Sequence, residues 1–224
     1  MNIGTLGLVP EPVKTRRYRS SARREQADAT RRAVLRAARA LFTTRGYAAT
    51  SVAEIAGRAK VSVDTVYASV GRKPELLLAV HDMLLGGADE PLSAEQRDYV
   101  RRIRAAASAE EKIRCYADAL AELLPLTAPL YLALGEAGIR EPACRQVAES
   151  IARRRRANML LFAADLRATG RVRADLADEH VADLVWSMNS PEYFHLLTEV
   201  GYTPRQYADL VADAWSRTLL APGG

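Results

Sequence analysis

Residues 50–73 read TSVAEIAGRAKVSVDTVYASVGRK, and this stretch decides the architecture. Ser51 and Glu54 have the spacing of a capping box, in which each side chain satisfies the other residue's orphan backbone donor. Ile55, Ala56 and Ala59 then form one apolar stripe on a short helix. A second short helix starts at Ser62, a good N-cap, with Val61 before it and Val66 four residues after it as a hydrophobic staple. Val70 continues that buried stripe, which leaves Val63, Asp64, Tyr67 and Ala68 facing outward.

The flanking sequence completes a small bundle. From about Asp28 to Arg45, Val34, Leu35, Ala38, Leu41 and Phe42 recur at spacings of three and four, with arginines on the opposite face and Gly46 as the stop. Lys73-Pro74-Glu75 opens a fourth helix, with proline at a position where its missing N–H does no harm. Leu76, Leu77, Val80 and Leu84 carry that helix to Gly86-Gly87. A short helix projected by its partner fits the major groove of B-DNA, and its first residues reach base edges. The pattern therefore reads as a helix-turn-helix. A purely structural three-helix bundle is the alternative, and charge argues against it. Residues 1–90 hold fifteen Lys+Arg against nine Asp+Glu, net +6, whereas residues 91–224 hold seventeen against eighteen, net −1.

Leu41-Phe42, Gly46-Tyr47, Thr50-Ser51-Val52, Ile55-Ala56, Val61-Ser62, Thr65-Val66-Tyr67 and Lys73 fall in the order and spacing that resembles the TetR family of transcriptional regulators. The resemblance covers residues 27–87 closely and the rest by architecture alone. It implies an all-α homodimer: an N-terminal three-helix helix-turn-helix DNA-binding domain followed by a C-terminal helical bundle for ligand binding and dimerisation. It also implies that Thr50, Thr65, Tyr67 and Lys73 hold phosphates while Ser62, Val63, Asp64 and Ala68 lie near bases; Ser51 and Lys60 complete the candidate set. Hydroxyls and ammonium groups donate to phosphate oxygens and fix register. Asp64 can accept from a cytosine amino group and Val63 can touch a thymine methyl. Each has a plainer reading, since Asp64 also suits the helix dipole and Ser62 is also a cap.

Three departures from the family pattern stand out. Lys60 occupies the usual glycine of the turn, a left-handed position costing a non-glycine residue roughly 1 kcal/mol. Val70 replaces an aromatic, and Asp64 replaces a common glycine.

The remaining chain divides into expected units: a basic disordered arm over residues 1–24, the DNA-binding domain over 25–87, and a helical effector-binding and dimerisation domain over 92–221. The arm can reach a minor groove. Its arginines equally reflect a chain-wide bias, with twenty-eight arginines against four lysines. The second domain reads as helices over about 93–107, 110–124, 128–136, 141–169, 177–189, 191–200 and 204–220, punctuated by prolines including Pro125 and Pro129. Arg153–Arg156 read as a solvated, ion-paired run. Val181, Val185, Tyr207, Val211 and Trp215 mark the late helices, which in the family build the dimer interface, so that two recognition helices about 34–36 Å apart meet a palindromic operator. Candidate pocket residues are Tyr99, Tyr116, Tyr131, Met159, Phe162, Trp186, Asn189, Tyr193 and His195, because pockets are mostly apolar with a few orienting polar groups. The scarcity of charge in apolar stripes over 110–200 points to a neutral or hydrophobic effector.

Other classes fit poorly. GxSxG, HExxH, P-loop and GxGxxG motifs are missing, and His81, His180 and His195 are scattered, so the chain does not read as an enzyme. Cys115 and Cys144 read as buried thiols, with no metal or cofactor expected. No stretch reads as a signal peptide or as the roughly 20 apolar residues needed to cross a bilayer, which gives a cytoplasmic expectation. The reading is a DNA-binding repressor released by a small molecule. The alternative is a regulator without an effector, controlled by a protein partner or by abundance.

Overall fold

The computed structural model describes residues 14–89 and 91–222. The described residues form α1 (Lys14–Arg45), α2 (Val52–Ala59), α3 (Val63–Ser69), α4 (Lys73–Gly86), α5 (Asp98–Ala105), α6 (Ala109–Gly138), α7 (Pro142–Arg167), α8 (Asp178–Met188), α9 (Pro191–Glu199) and α10 (Pro204–Leu219). A 3-10 turn over Ala94–Gln96 precedes α5, and one isolated antiparallel bridge joins Val172 to Leu220. The fold is all-α.

The first four helices follow the expected stripes. Val34, Leu35, Ala38, Leu41 and Phe42 of α1 are buried against Ile55, Ala56, Val66, Leu76, Leu77 and Val80. Tyr47 packs on Phe42, with ring centroids 5.7 Å apart. Gly87, left-handed at φ 62°, closes α4 and returns its N–H to the Leu84 and Met83 carbonyls.

Two boundaries differ from the sequence expectation. The first concerns the arm. Residues 14–24 are the beginning of α1, while residues 1–13 lie outside the described residues. Between Pro12 and Gly46 the chain has neither proline nor glycine, and a nucleated helix of Arg, Ala, Gln and Glu propagates at little cost. The second concerns Pro125 and Pro129, which lie inside α6 instead of ending helices. They are four residues apart on one exposed face, where water satisfies the carbonyls they free, while Leu124, Thr127, Ala128, Leu130 and Tyr131 beside them are buried. Tertiary packing overrides the two local penalties.

α6 is also long and apolar enough, by length and composition, to cross a membrane, which the sequence expectation had ruled out for every segment. Half of that apolar window is buried against other helices, as in the core helix of a bundle.

Packing does not stop at residue 87. One core joins α1–α4 to the C-terminal half of α6 and the first half of α7, through Leu130, Tyr131, Leu134, Cys144, Val147 and Ile151. A second core gathers the N-terminal half of α6, the end of α7 and α8–α10 around Trp215 and Tyr207. At the α6–α7 corner, a Cβ on Gly138 would lie 3.1 Å from the Arg145 backbone, so a larger residue there would push the two helices apart by a few tenths of an ångström. The two long helices therefore run through both cores.

The late apolar stripes have a different destination from the expected one. Val181, Val185, Tyr207, Val211 and Trp215 are buried within the chain's own second core. The large apolar side chains left exposed in this region are Leu196, Val200 and Tyr202, on α9 and just beyond it.

Candidate nucleic-acid interface and internal cavity

The turn between α2 and α3 is built by its caps. Ser51 Oγ accepts from the Glu54 backbone N–H at 3.2 Å while Glu54 Oε2 accepts from the Ser51 N–H at 2.8 Å, and Arg45 donates to Glu54 Oε1 at 2.8 Å. Those bonds from Ser51, followed by the Arg45 charge, hold the Glu54 carboxyl below its usual range. Lys60 caps α2 in the left-handed conformation, φ 57° and ψ 43°, as its place in the turn requires, and it is the sole positive-φ non-glycine among the described residues. Val61 N–H then returns to the Ala56 carbonyl at 3.0 Å, and the chain reverses into α3.

Ser62 caps α3, accepting from the Thr65 N–H at 3.1 Å, with the two hydroxyls 2.8 Å apart. Val66 is fully buried and anchors the helix. Ser62, Asp64, Tyr67 and Ala68 are exposed and form the presented face together with Ser51 and Lys60. Val63 departs from the expected outward orientation: it is half-buried against the first core, because at the first turn it flanks the staple formed by Val61 and Val66. Thr65 is also half-buried.

Thr50 departs further. It is 1% exposed and its hydroxyl donates to the Gly46 carbonyl at 2.8 Å, closing the end of α1, so its side chain is not presented to a phosphate. Lys73 is half-buried with its ammonium 4.1 Å from the centre of the Tyr47 ring. Partial burial lowers its pKa against the opposing pull of Glu141, Cys144 and Glu54. Tyr47 OH in turn lies 3.2 Å from Cys144 Sγ, and the thiol lies 3.2 Å from Glu141 Oε2. Burial raises both the Tyr47 phenol and the Cys144 thiol above their ordinary values.

A cavity of about 390 Å³ lies between α4, α5, α6 and α7, reaching Asn189 at the end of α8. Of the expected pocket residues it gathers Tyr99, Tyr116, Met159, Phe162 and Asn189. Asn189 is 2% exposed and organises one end: its amide donates to Tyr116 OH at 2.7 Å, and its oxygen accepts from Arg155 at 2.6 Å. Four expected residues lie elsewhere. Tyr131 belongs to the first core. Trp186 donates from its indole to the Ala152 carbonyl, 3.2 Å. Tyr193 packs on Tyr207 at 6.4 Å. His195 is an exposed side chain of α9, 4.0 Å from Glu199.

The larger difference is charge. The wall contributed by α4 carries His81 and Asp82, and the others carry Arg97, Arg154, Arg155 and Asp165. Arg154 grips both oxygens of Asp82 at 3.0 Å. Burial would raise the Asp82 carboxyl, but His81, whose Nδ1 stands 3.5 Å from it, and the bonds and charge of Arg154 outweigh it and hold the group low. Burial lowers the His81 pKa. Lys112, 5% exposed, donates to the Ile103 and Arg104 carbonyls and pairs with Asp165 at 2.9 Å. The expected solvated, ion-paired run holds for Arg153, Arg154 and Arg156, which are exposed and pair with Glu149, Asp82 and Asp183, and fails for Arg155, which is half-buried; Arg154 and Arg155 both reach the cavity. The signal in the sequence was that four consecutive helical positions point in all directions, so some of them point inward. Among the described residues no His, Cys, Asp and Glu cluster suits a metal ion.

Residues 34–80 match the family model described as bacterial regulatory proteins, tetR family. No curated protein matches the chain in sequence. Among solved structures, it is similar to a transcriptional regulator from Saccharomonospora viridis in complex with choline, with TM-score 0.65, 18% identity, and coverage of 85% of this chain and 97% of that one. It is similar also to a TetR-family regulator from Rhodococcus sp., TM-score 0.64 and 17% identity over 86% and 99% of the two chains. A third is a SmeT–triclosan complex, TM-score 0.64 and 16% identity over 87% and 93%. At such identities the likeness is one of fold, over nearly the whole length of each relative.

Proposed function

We propose that this chain, whose residues 34–80 match the family model described as bacterial regulatory proteins, tetR family, acts as a homodimeric repressor whose grip on a palindromic operator is loosened when a small molecule fills the α4–α7 cavity. The single observation that carries this is the double role of α4. Its first residue, Lys73, lies beside the presented face, and His81 and Asp82, two turns on, form part of the cavity wall. At 1.5 Å per residue these ends are about 12 Å apart on one rigid helix. A ligand that prefers a displaced α4 shifts the equilibrium by that preference, and one that binds both states equally shifts nothing.

The face formed by Ser62, Asp64 and Ala68 is assigned to the major groove, with Lys60, Thr65, Tyr67 and Lys73 beside the backbone and Ser51 as a capping neighbour. Thr50 serves the fold. Pairing of two chains is assigned to the late helices, supported by exposed Leu196 and Val200, 65% and 72% accessible one helical turn apart. Two small molecules, choline and triclosan, occupy proteins of the same fold. That supports control by an effector over control by a protein partner.

The test is footprinting of the purified protein on DNA enriched for its binding. Two protected half-sites about 10 base pairs apart, filled together, are expected. Protection of one half-site by a single chain would contradict the dimeric reading.

A further inference from the structure

Resting on the reading of the cavity as an effector site, the charge inside it narrows the effector. The lining is apolar along Ile103, Leu120, Leu124 and Phe162, so a hydrophobic body fits. The polar groups fall into two sets. The two inner carboxylates each face a cation: Asp82 accepts two bonds from Arg154, and Asp165 forms an ion pair with Lys112 at 2.9 Å although its Oδ2 accepts no hydrogen bond. Glu95 is at the exposed rim.

The arginines are not matched. Arg97 is 7% exposed, yet among the described residues its only hydrogen bond runs from Nη2 to the Leu92 carbonyl at 3.2 Å. Its Nε has no hydrogen-bond partner among the described residues, and its Nη2 makes only a long ion pair, 3.9 Å, to the Asp82 carboxylate that Arg154 already binds twice. Arg155 bonds only neutral acceptors, the Trp186 carbonyl at 2.8 Å and Asn189 Oδ1 at 2.6 Å. A buried guanidinium with an unpartnered N–H is costly, and an incoming anion relieves that cost.

We propose that the effector is an amphipathic anion, a hydrophobic molecule ending in a carboxylate, whose head pairs with Arg97 and competes with Asp82 for Arg154. Because Asp82 is on α4 and Arg154 on α7, the competition releases the tie between those helices. This couples the chemistry of the head group to the position of the reader. Of the lining carboxylates only Glu95, exposed at one edge, lacks a cationic partner, so a cationic head would have to pass or displace the same arginines to pair inside the cavity.

The experiment titrates the full-length chain with decanoate, 1-decanol and decyltrimethylammonium, reading binding by calorimetry and DNA affinity by fluorescence anisotropy. Decanoate is expected to bind at least about ten-fold more tightly than the other two and to weaken DNA binding. Arg97→Met should cost decanoate about ten-fold while leaving 1-decanol within two-fold, as the loss of one charge-assisted contact implies. Asp82→Asn, which releases Arg154 from its carboxylate and removes the negative charge nearest Arg97, should tighten decanoate several-fold, a gain that a misfolded variant cannot produce. Binding and DNA release by 1-decanol without preference for decanoate would overturn the anionic head and leave the effector site standing. Tighter binding of decyltrimethylammonium would overturn it in favour of a cation. Binding of none of the three would overturn the amphipathic class as well as the head.

Discussion

The phenol oxygen of Tyr47 lies 3.2 Å from the thiol of Cys144, ninety-seven residues further along the chain. The contact joins the loop ahead of α2 to the first turn of α7. The same Tyr47 ring supports the Lys73 ammonium at 4.1 Å, so a residue of the second domain helps to fix the platform beneath a group assigned to the DNA backbone. Tyr47→Phe keeps the ring and removes the hydroxyl; it should cost about 1 kcal/mol in urea unfolding and leave DNA affinity nearly intact. Tyr47→Ala removes a buried ring and its platform. About 3–5 kcal/mol of stability should go with it, as for other large aromatic truncations, and DNA affinity should fall in anisotropy assays.

Lys73 and Asp64 separate positioning from reading. Lys73→Ala should weaken binding to every sequence alike and reduce the salt slope by about 1, whereas Asp64→Ala should change the preferred sequence. Anisotropy against selected and scrambled DNA over a salt series measures both. A changed preference with an unchanged slope in Lys73→Ala would reverse the assignment.

Lys60 tests the turn. Its left-handed backbone costs a residue with a Cβ roughly 1–2 kcal/mol, while glycine there adds about 0.4–1 kcal/mol of unfolded-state freedom. Lys60→Gly should therefore stabilise the fold by about 0.5–1 kcal/mol in thermal unfolding, and Lys60→Val should destabilise it. If Lys60 also touches phosphate, the stabler glycine variant binds DNA less well.

His81 makes stability depend on pH. Burial lowers its folded pKa below the ordinary value of about 6.5. Below that value the unfolded chain binds more protons than the folded one, so stability is complete above about 6.5 and is lost as pH falls. Asp82 is also held low, and its contribution fades only below the ordinary aspartate value of about 3.9. The unfolding free energy from urea titrations should fall between about pH 7 and pH 5 with a slope of up to about 1.4 kcal/mol per pH unit. His81→Gln should flatten it; an unchanged slope would place the titration elsewhere.

The helix-turn-helix was legible because its determinants are local. Caps at Ser51 and Ser62, the stripe through Ile55 and Val66, and Pro74 at the start of α4 act within a few residues. What stayed hidden depended on distant packing. Thr50 looks like a donor until Gly46 is seen to take its hydroxyl. Pro125 and Pro129 look like breaks until their neighbours are seen buried. Five of the nine aromatic and polar pocket candidates line the cavity, and the others are absorbed by neighbouring helices. The charged groups escaped notice because Asp82, Arg97 and Arg154 come from three separate helical segments, and only the fold brings them together.

Reading of a paired site on duplex DNA by α3 is measured by selection of bound sequences from a random pool at near-physiological salt. Enrichment of an inverted repeat with half-site centres about 10 base pairs apart is the predicted result. Recovery of nothing beyond salt-sensitive, sequence-independent background, with decanoate absent and the chain folded, would contradict it.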